Sequence, residues 1–174
     1  MSAAGIEIER KFRLREAPTA DVLAGHGAFV QRIEQFYLAG QPDADRLRRI
    51  ETSSGLTYRR TRKHQIGPFT FQEHEEAIGE ADWVAGLERA DPERRVIRKT
   101  RHVVPNGDQH LEIDVFDEPP GLVVLEVELG HEDEEVALPA WLGDWIEVTG
   151  DARYFNAVLA RIDAPVPAWG SSPA

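Results

Sequence analysis

The stretch "GIEIERKFRL" (5–14) places charge on every second residue, with Glu7, Glu9, Lys11 and Arg13 on one side and Ile8, Arg10, Phe12 and Leu14 on the other. Such a period of two belongs to an extended strand, whose successive side chains point to opposite faces. The same pattern returns along the chain as Arg46/Arg48, Arg59 with Lys63, Glu73/Glu75, Lys99/Arg101, Glu112/Asp114 and Glu126/Glu128. An antiparallel sheet with one wet face is the ordinary source of alternation. Here, though, the polar positions carry like-charged pairs in blocks of one sign, and like charges side by side are destabilising unless something of opposite sign lies between them.

Alternation and turn signals predict strands at about 5–14, 29–39, 45–51, 55–63, 68–77, 95–104, 109–117 and 121–130. "SSG" (53–55), "GP" (67–68) and "PNGD" (105–108) read as hairpin turns, with Asn106-Gly107 at the centre of the last. Helical patterns are few, at 17–27, 80–90 and 151–162. Eight antiparallel strands curl into a barrel whose lumen can hold side chains or one small ligand. The expected class is therefore α+β, mainly β: an eight-stranded antiparallel closed tunnel with a few helices on the outside. Residues 1–163 read as one domain and 164–174, rich in Pro and small residues, as a flexible tail.

If the charged faces point inward, Arg and Lys line some walls and Glu and Asp the others. That lining suits a compact phosphate chain carried with a divalent metal. Guanidinium and ammonium groups bind phosphate oxygens, while carboxylates hold Mg²⁺ or Mn²⁺. Neither GxxxxGK[ST] nor GxGxxG occurs, so side chains must do the phosphate binding. Packed carboxylates without metal imply at least one raised pKa.

Composition removes other classes. The formal charge of -11 repels nucleic acid and anionic membranes, and zero cysteines exclude disulfides and thiolate chemistry. The six histidines show no zinc-binding spacing, and the serines lie in termini and turns. With no signal-peptide pattern and no long apolar run, the expected location is cytoplasmic. Arg60, Arg62 and His64 add charge near one expected tunnel mouth, and apolar outer surface left uncovered would suit a homodimer.

Taken in order, the motifs resemble the CYTH-domain proteins, or triphosphate tunnel metalloenzymes. They are E-x-E-x-K as Glu7-Ile8-Glu9-Arg10-Lys11, R-x-R as Arg46-Leu47-Arg48, "LTYR" ending at Arg59, E-x-E at Glu73 and Glu75, K-T-R as Lys99-Thr100-Arg101, "EIDVF", "EVEL" and "EVTGDARYFNAVLA". The resemblance implies hydrolysis of a terminal phosphoanhydride with Mg²⁺ or Mn²⁺, with inorganic tripolyphosphate favoured for short bacterial members. Glu7, Glu9 and a carboxylate of the "EVEL" strand, Glu128 before Glu126, would hold the metal. Lys11, Arg46, Arg48, Arg59, Lys99 and Arg101 would clamp the phosphates. Glu73, Glu75, Glu112 and Asp114 would hold a second metal or position the attacking water. The rival readings are a nucleoside or thiamine triphosphatase, an adenylate cyclase in the same tunnel, and a non-catalytic polyphosphate or phosphometabolite binder.

Overall fold

A computed structural model describes residues 3–41 and 44–171. Eight long strands form the wall: β1 (Ala3–Leu14), β2 (Phe29–Tyr37), β3 (Arg46–Thr52), β4 (Gly55–Gln65), β5 (Thr70–Ile78), β6 (Ile97–Asn106), β7 (Gln109–Glu118) and β8 (Val123–Leu129). A short ninth strand, β9 (Trp145–Glu147), the helices α1 (Ala20–Gly25), α2 (Glu80–Leu87) and α3 (Asn156–Leu159), and two 3₁₀ turns at Ala140–Leu142 and Ala152–Tyr154 complete the described elements. Every ladder is antiparallel, and the order around the wall is β1-β5-β4-β3-β2-β6-β7-β8 and back to β1.

β1 closes the barrel by pairing along Ala3–Ile8 with β5 and along Ile8–Arg13 with β8. Past Ile8 its other edge would lie bare, and a bare strand edge invites foreign pairing. The 145–149 segment takes that edge. Phe12–Leu14 pair with β9, the Val148 N–H donates to the Lys11 carbonyl at 2.9 Å, and the Lys11 N–H donates to Thr149 Oγ1 at 3.0 Å. β9 is the strand that alternation did not predict.

Two apolar clusters sit on the outer face. Phe12, Leu14, Leu111, Ile113, Leu125 and Val127 pack under α1 and the 136–142 segment. On the far side Phe36, Leu38 and Leu47 pack under Trp83 of α2. Gly86 allows that close approach, because a Cβ there would run into the Leu47 side chain. A third cluster fills one end of the barrel: Tyr37, Ile97, Phe116 and Val124 meet Tyr154 and Leu159, so the 152–159 segment stoppers that end. Elsewhere the outer wall carries charged pairs beside exposed apolar side chains such as Ile6, Val30 and Leu56. Arg60 binds Asp45 bidentately at 3.0 and 2.7 Å, and Arg62 donates to Glu76 at 3.2 Å, which places these arginines outside rather than at a tunnel mouth. Likewise Arg10 binds Glu147 at 2.9 and 2.8 Å on the outer face.

The Ser53-Ser54 turn falls where expected, with Thr52 opposite Gly55. The β6–β7 hairpin is shifted by one residue: Asn106 pairs with Gln109, so Gly107 and Asp108 form the loop, with Gly107 at φ 63°. Val166 packs against the stoppered end and Arg153 bonds the Ser171 carbonyl at 2.9 Å, so residues 164–171 run along the barrel; 172–174 lie outside the described residues. Among the described residues no helix is long and apolar enough to cross a membrane.

Trp83 is buried, with its ring 4.7 Å from Phe36 and 5.9 Å from Tyr58. Trp83→Ala should therefore cost about 3–5 kcal/mol, from lost burial and the cavity left behind. Urea denaturation reads this directly, and a loss under about 1 kcal/mol would show that α2 is not a structural part of the wall.

Candidate active site

The strand register dictates what faces the lumen. β1 contributes Glu7, Glu9 and Lys11; β3, Arg46 and Arg48; β4, Arg59 and Lys63; β5, Glu73 and Glu75; β6, Lys99 and Arg101; β7, Glu112 and Asp114; β8, Glu126 and Glu128. Every residue expected at the site thus faces one interior. Register also sets like charges directly opposite each other: Arg48 faces Arg59, Glu9 faces Glu128, and Glu112 faces Glu126. Neighbours so placed have Cβ atoms about 5 Å apart and repel.

That repulsion is met by ion pairs inside the lumen, some between adjacent strands and some between strands one apart. Arg101 is the hub: its guanidinium binds Asp114 through Nε and Nη2, both at 2.7 Å, binds Glu126 at 2.7 Å, and contacts Glu112. Lys11 lies between Glu9, at 3.0 Å, and Glu126; Lys99 is bonded to Asp114. Lys63 reaches from β4 to Glu7 at 2.5 Å and Glu9 at 3.2 Å. Glu75 sits between the two facing arginines, bonded to Arg48 and 3.9 Å from Arg59, while Arg46 lies 3.9 Å from Glu73. Glu128 has no ion-pair partner among the described residues.

These contacts enclose a cavity of about 430 Å³. Six cations and seven carboxylates line it, with Gln31, Gln35, Thr52, Thr57, Ile50 and Asn156. Lys11 and Asp114 lie just behind the surface, bonded to residues that line it. Among the described residues no aromatic side chain contributes to this lining, and Ile50 is its single large apolar group.

Protonation follows the pairing. Burial works to raise the Glu126 carboxyl, but Lys11, Arg101 and Lys99 outweigh it and hold it well below the usual range. Asp114 is likewise depressed, with Arg101 and Lys99 overcoming burial. Burial would lower the Lys11 ammonium, yet Glu126 and Glu9 keep it raised. Lys99 goes the other way. Burial, against the pull of Asp114 and with the push of Arg101, brings it down to about 8. Three carboxyls are raised: Glu73 by burial and by Glu7, Glu112 by burial and by Glu126 against Arg101, and Glu128 by burial and by Glu7, Glu112 and Glu9. The raised carboxylate expected of a metal-free tunnel is thus present on three walls.

Among the described residues no three metal-binding groups are already gathered as a cage. The donor set nevertheless fits a hard divalent cation. Glu9 and Glu128 are ladder partners, Glu7 is one of the charges that raise Glu128 and is held on one oxygen by Lys63, and Glu73 Oε2 is buried without a hydrogen-bond partner. Oxygen donors in surplus of their hydrogen bonds are what such cations require. Glu126 has both oxygens engaged, one by Lys11 and one by Arg101, so within the "EVEL" strand Glu128 is the carboxylate with oxygens to spare.

Lys63, Gln31, Gln35 and Asn156 line the cavity beside the residues the motifs identify. Lys63 was legible as the residue four beyond Arg59 on the same strand face. The two glutamines carry no charge to mark them, and Asn156 arrives from the stopper, a placement only tertiary structure reveals.

No protein-family model matches the chain. Over 90 residues it is 39% identical to the inorganic triphosphatase of Acetivibrio thermocellus, a match covering 51% of this chain and 54% of the relative, so the chain spans about half the length of that curated protein. The solved structure of the inorganic triphosphatase NE1496 is 31% identical, with 88% of this chain and 93% of that one covered at a TM-score of 0.56. The PH1012 protein from Pyrococcus horikoshii OT3, 19% identical with 73% of this chain and 80% of that one covered at a TM-score of 0.52, shares the fold. A closed antiparallel tunnel with the charged pairs facing inward defines the class, and the likeness to NE1496 over nearly its whole length settles the lineage: the chain belongs to the CYTH-domain, or triphosphate tunnel, family.

The three raised carboxyls bind protons more readily folded than unfolded, so their contribution to stability falls as pH rises through their folded pKa values. The opposite holds for Glu126 and Asp114, whose contribution is lost as pH falls below the usual carboxylate range. Metal-free protein should therefore gain thermal stability on moving from pH 7 to about pH 5 and lose it at lower pH, and Glu128→Gln should flatten the upper limb. Melting curves across that range measure it; if lumen carboxyls titrate as free ones do, in a side-chain NMR titration, the packed-carboxylate site is wrong.

Proposed function

We propose that the protein hydrolyses the terminal phosphoanhydride of a triphosphate compound, best of all inorganic tripolyphosphate, in a metal-dependent reaction inside the tunnel. The observation that carries this is the lining: a cavity of about 430 Å³ walled by cations and carboxylates in near-equal number, without an aromatic face for a base to stack on. A chain of phosphates with a divalent cation supplies both missing partners at once. The names of the two triphosphatase relatives support the same reading.

Arg48, Arg59, Lys63 and Arg46 on one side and Lys99 and Arg101 on the other would bind the phosphate oxygens and align the chain. Glu126 and Asp114 act behind them, holding Lys11, Lys99 and Arg101 in place. Each incoming oxygen competes for a cation now paired with a carboxylate, and an anion beside Lys99 raises its proton affinity again. Glu7, Glu9 and Glu128 would hold Mg²⁺ or Mn²⁺, which when bound neutralises phosphate oxygens and polarises water. The oxygen of the water forms a bond to the terminal phosphorus as the bond to the bridging oxygen breaks. Its proton goes to Glu73 or Glu112, whose raised proton affinity suits them to accept it, and the leaving pyrophosphate is stabilised by the arginines.

Phosphate release from tripolyphosphate, ATP and thiamine triphosphate, with and without Mg²⁺ or Mn²⁺, tests the proposal. Release should require metal and be fastest with tripolyphosphate, and Glu9→Ala and Arg48→Ala should each lower it by about 100-fold or more. Turnover that survives both substitutions, or proceeds without metal, would sink the mechanism. Tight tripolyphosphate binding with no turnover would make the protein a polyphosphate binder.

A further inference from the structure

Behind the main cavity lies a second one of about 170 Å³, between the barrel and its stopper. That is about the liquid volume of five or six waters, room for one compact oxyanion. The two cavities share the walls formed by Glu9, Arg46, Lys63 and Asn156. The rear one adds Lys11 from the barrel and is otherwise bounded by uncharged groups, among them Tyr37, Ala44 and, from the stopper, Phe155 and Ala157. Among the described residues three cations thus border it against the single carboxylate Glu9, whereas cations and carboxylates nearly balance in front. Among the described residues two of its polar atoms lack hydrogen-bond partners. Arg46 is only 9% exposed and its Nε is buried with no acceptor, and Asn156 Oδ1 is buried with no donor. A phosphate bearing one hydroxyl would satisfy both, its oxygen accepting from Arg46 Nε and its hydroxyl donating to Asn156 Oδ1.

We propose that the rear cavity is a one-phosphate subsite, continuous with the tunnel past Asn156, that takes a tetrahedral phosphate group beyond the three held in front. The inference rests on the triphosphatase reading for what occupies the front cavity. The group has two possible sources, free orthophosphate or the fourth unit of a longer chain.

Binding to the full-length, metal-free protein separates these without relying on turnover. Ala157→Leu and Ala44→Leu fill the rear cavity from two positions that do not themselves line the front one. Wild type should bind orthophosphate even when saturated with tripolyphosphate. Each filled variant that circular dichroism shows to be folded should lose at least tenfold in orthophosphate affinity and keep tripolyphosphate affinity within twofold. If a fourth chain unit occupies the subsite, wild type should bind tetrapolyphosphate more tightly than tripolyphosphate and the variants should lose that advantage; equal affinities assign the subsite to orthophosphate. Orthophosphate binding unchanged in a folded variant, or displaced one for one by tripolyphosphate, overturns the proposal. Should neither variant fold, the Ala157 methyl resonance of wild type must shift on adding orthophosphate to the tripolyphosphate complex, and a static resonance overturns it equally. Failure to bind tripolyphosphate at all would count against the triphosphatase reading instead.

Discussion

The double engagement of β1 is the constraint on which the rest depends. By pairing with β5 over its first half and β8 over its second, it turns an eight-stranded sheet into a tube and commits every second side chain to an enclosed space. A one-residue slip in either ladder would send Glu7, Glu9 and Lys11 outside and Ile8 and Phe12 into the lumen. The apolar clusters beneath α1 and α2, and the outer Arg10–Glu147 pair, therefore fix the tunnel lining from without.

Inside, the electrostatics are those of a site in near balance. Facing like charges are a property of the register, and the protein offsets them with ion pairs between non-adjacent strands, such as Lys63 with Glu7 and Glu9 or Arg101 with Glu126. Buried ion pairs contribute little net stability, since desolvation consumes most of the Coulombic gain. Here they hold cations and carboxylates in fixed positions from which they can exchange partners. The residues divide accordingly: Asp114 and Glu126, fully engaged and depressed, set the geometry, whereas Glu73, Glu112 and Glu128, raised, have a proton affinity that an incoming ligand can alter.

Much of this was legible in the chain because a strand's period of two is short-range and the charges are dense. Eight strands, and the inward facing of each charged pair, follow from alternation together with the mutual repulsion of like neighbours. What escaped was set by contacts distant in sequence. β9 is three residues long and exists because β1 has a spare edge more than 130 residues earlier in the chain. The 151–162 segment looked like one helix, but its residues are divided between a 3₁₀ turn and the four-residue α3, because Tyr154 and Leu159 must both turn into the barrel's end. Arg60 and Arg62 looked like part of a tunnel mouth in a run dense with charge, yet parity sends them outward to Asp45 and Glu76.

Closure by the first strand also governs the order in which the chain can assemble. Its partners lie about 65 and 115 residues downstream, with Glu9 meeting Glu128, so during synthesis β1 must wait for β5 on one edge and far longer, until β8 has been made, on the other. The hairpins from β3 to β5 and from β6 to β8 are local and can form early, but neither yet has a lumen. The charge that suits Glu7, Glu9, Lys11 and Arg13 to the finished tunnel then serves the nascent chain too, keeping a waiting strand soluble and poorly suited to pairing with its neighbours on the polysome.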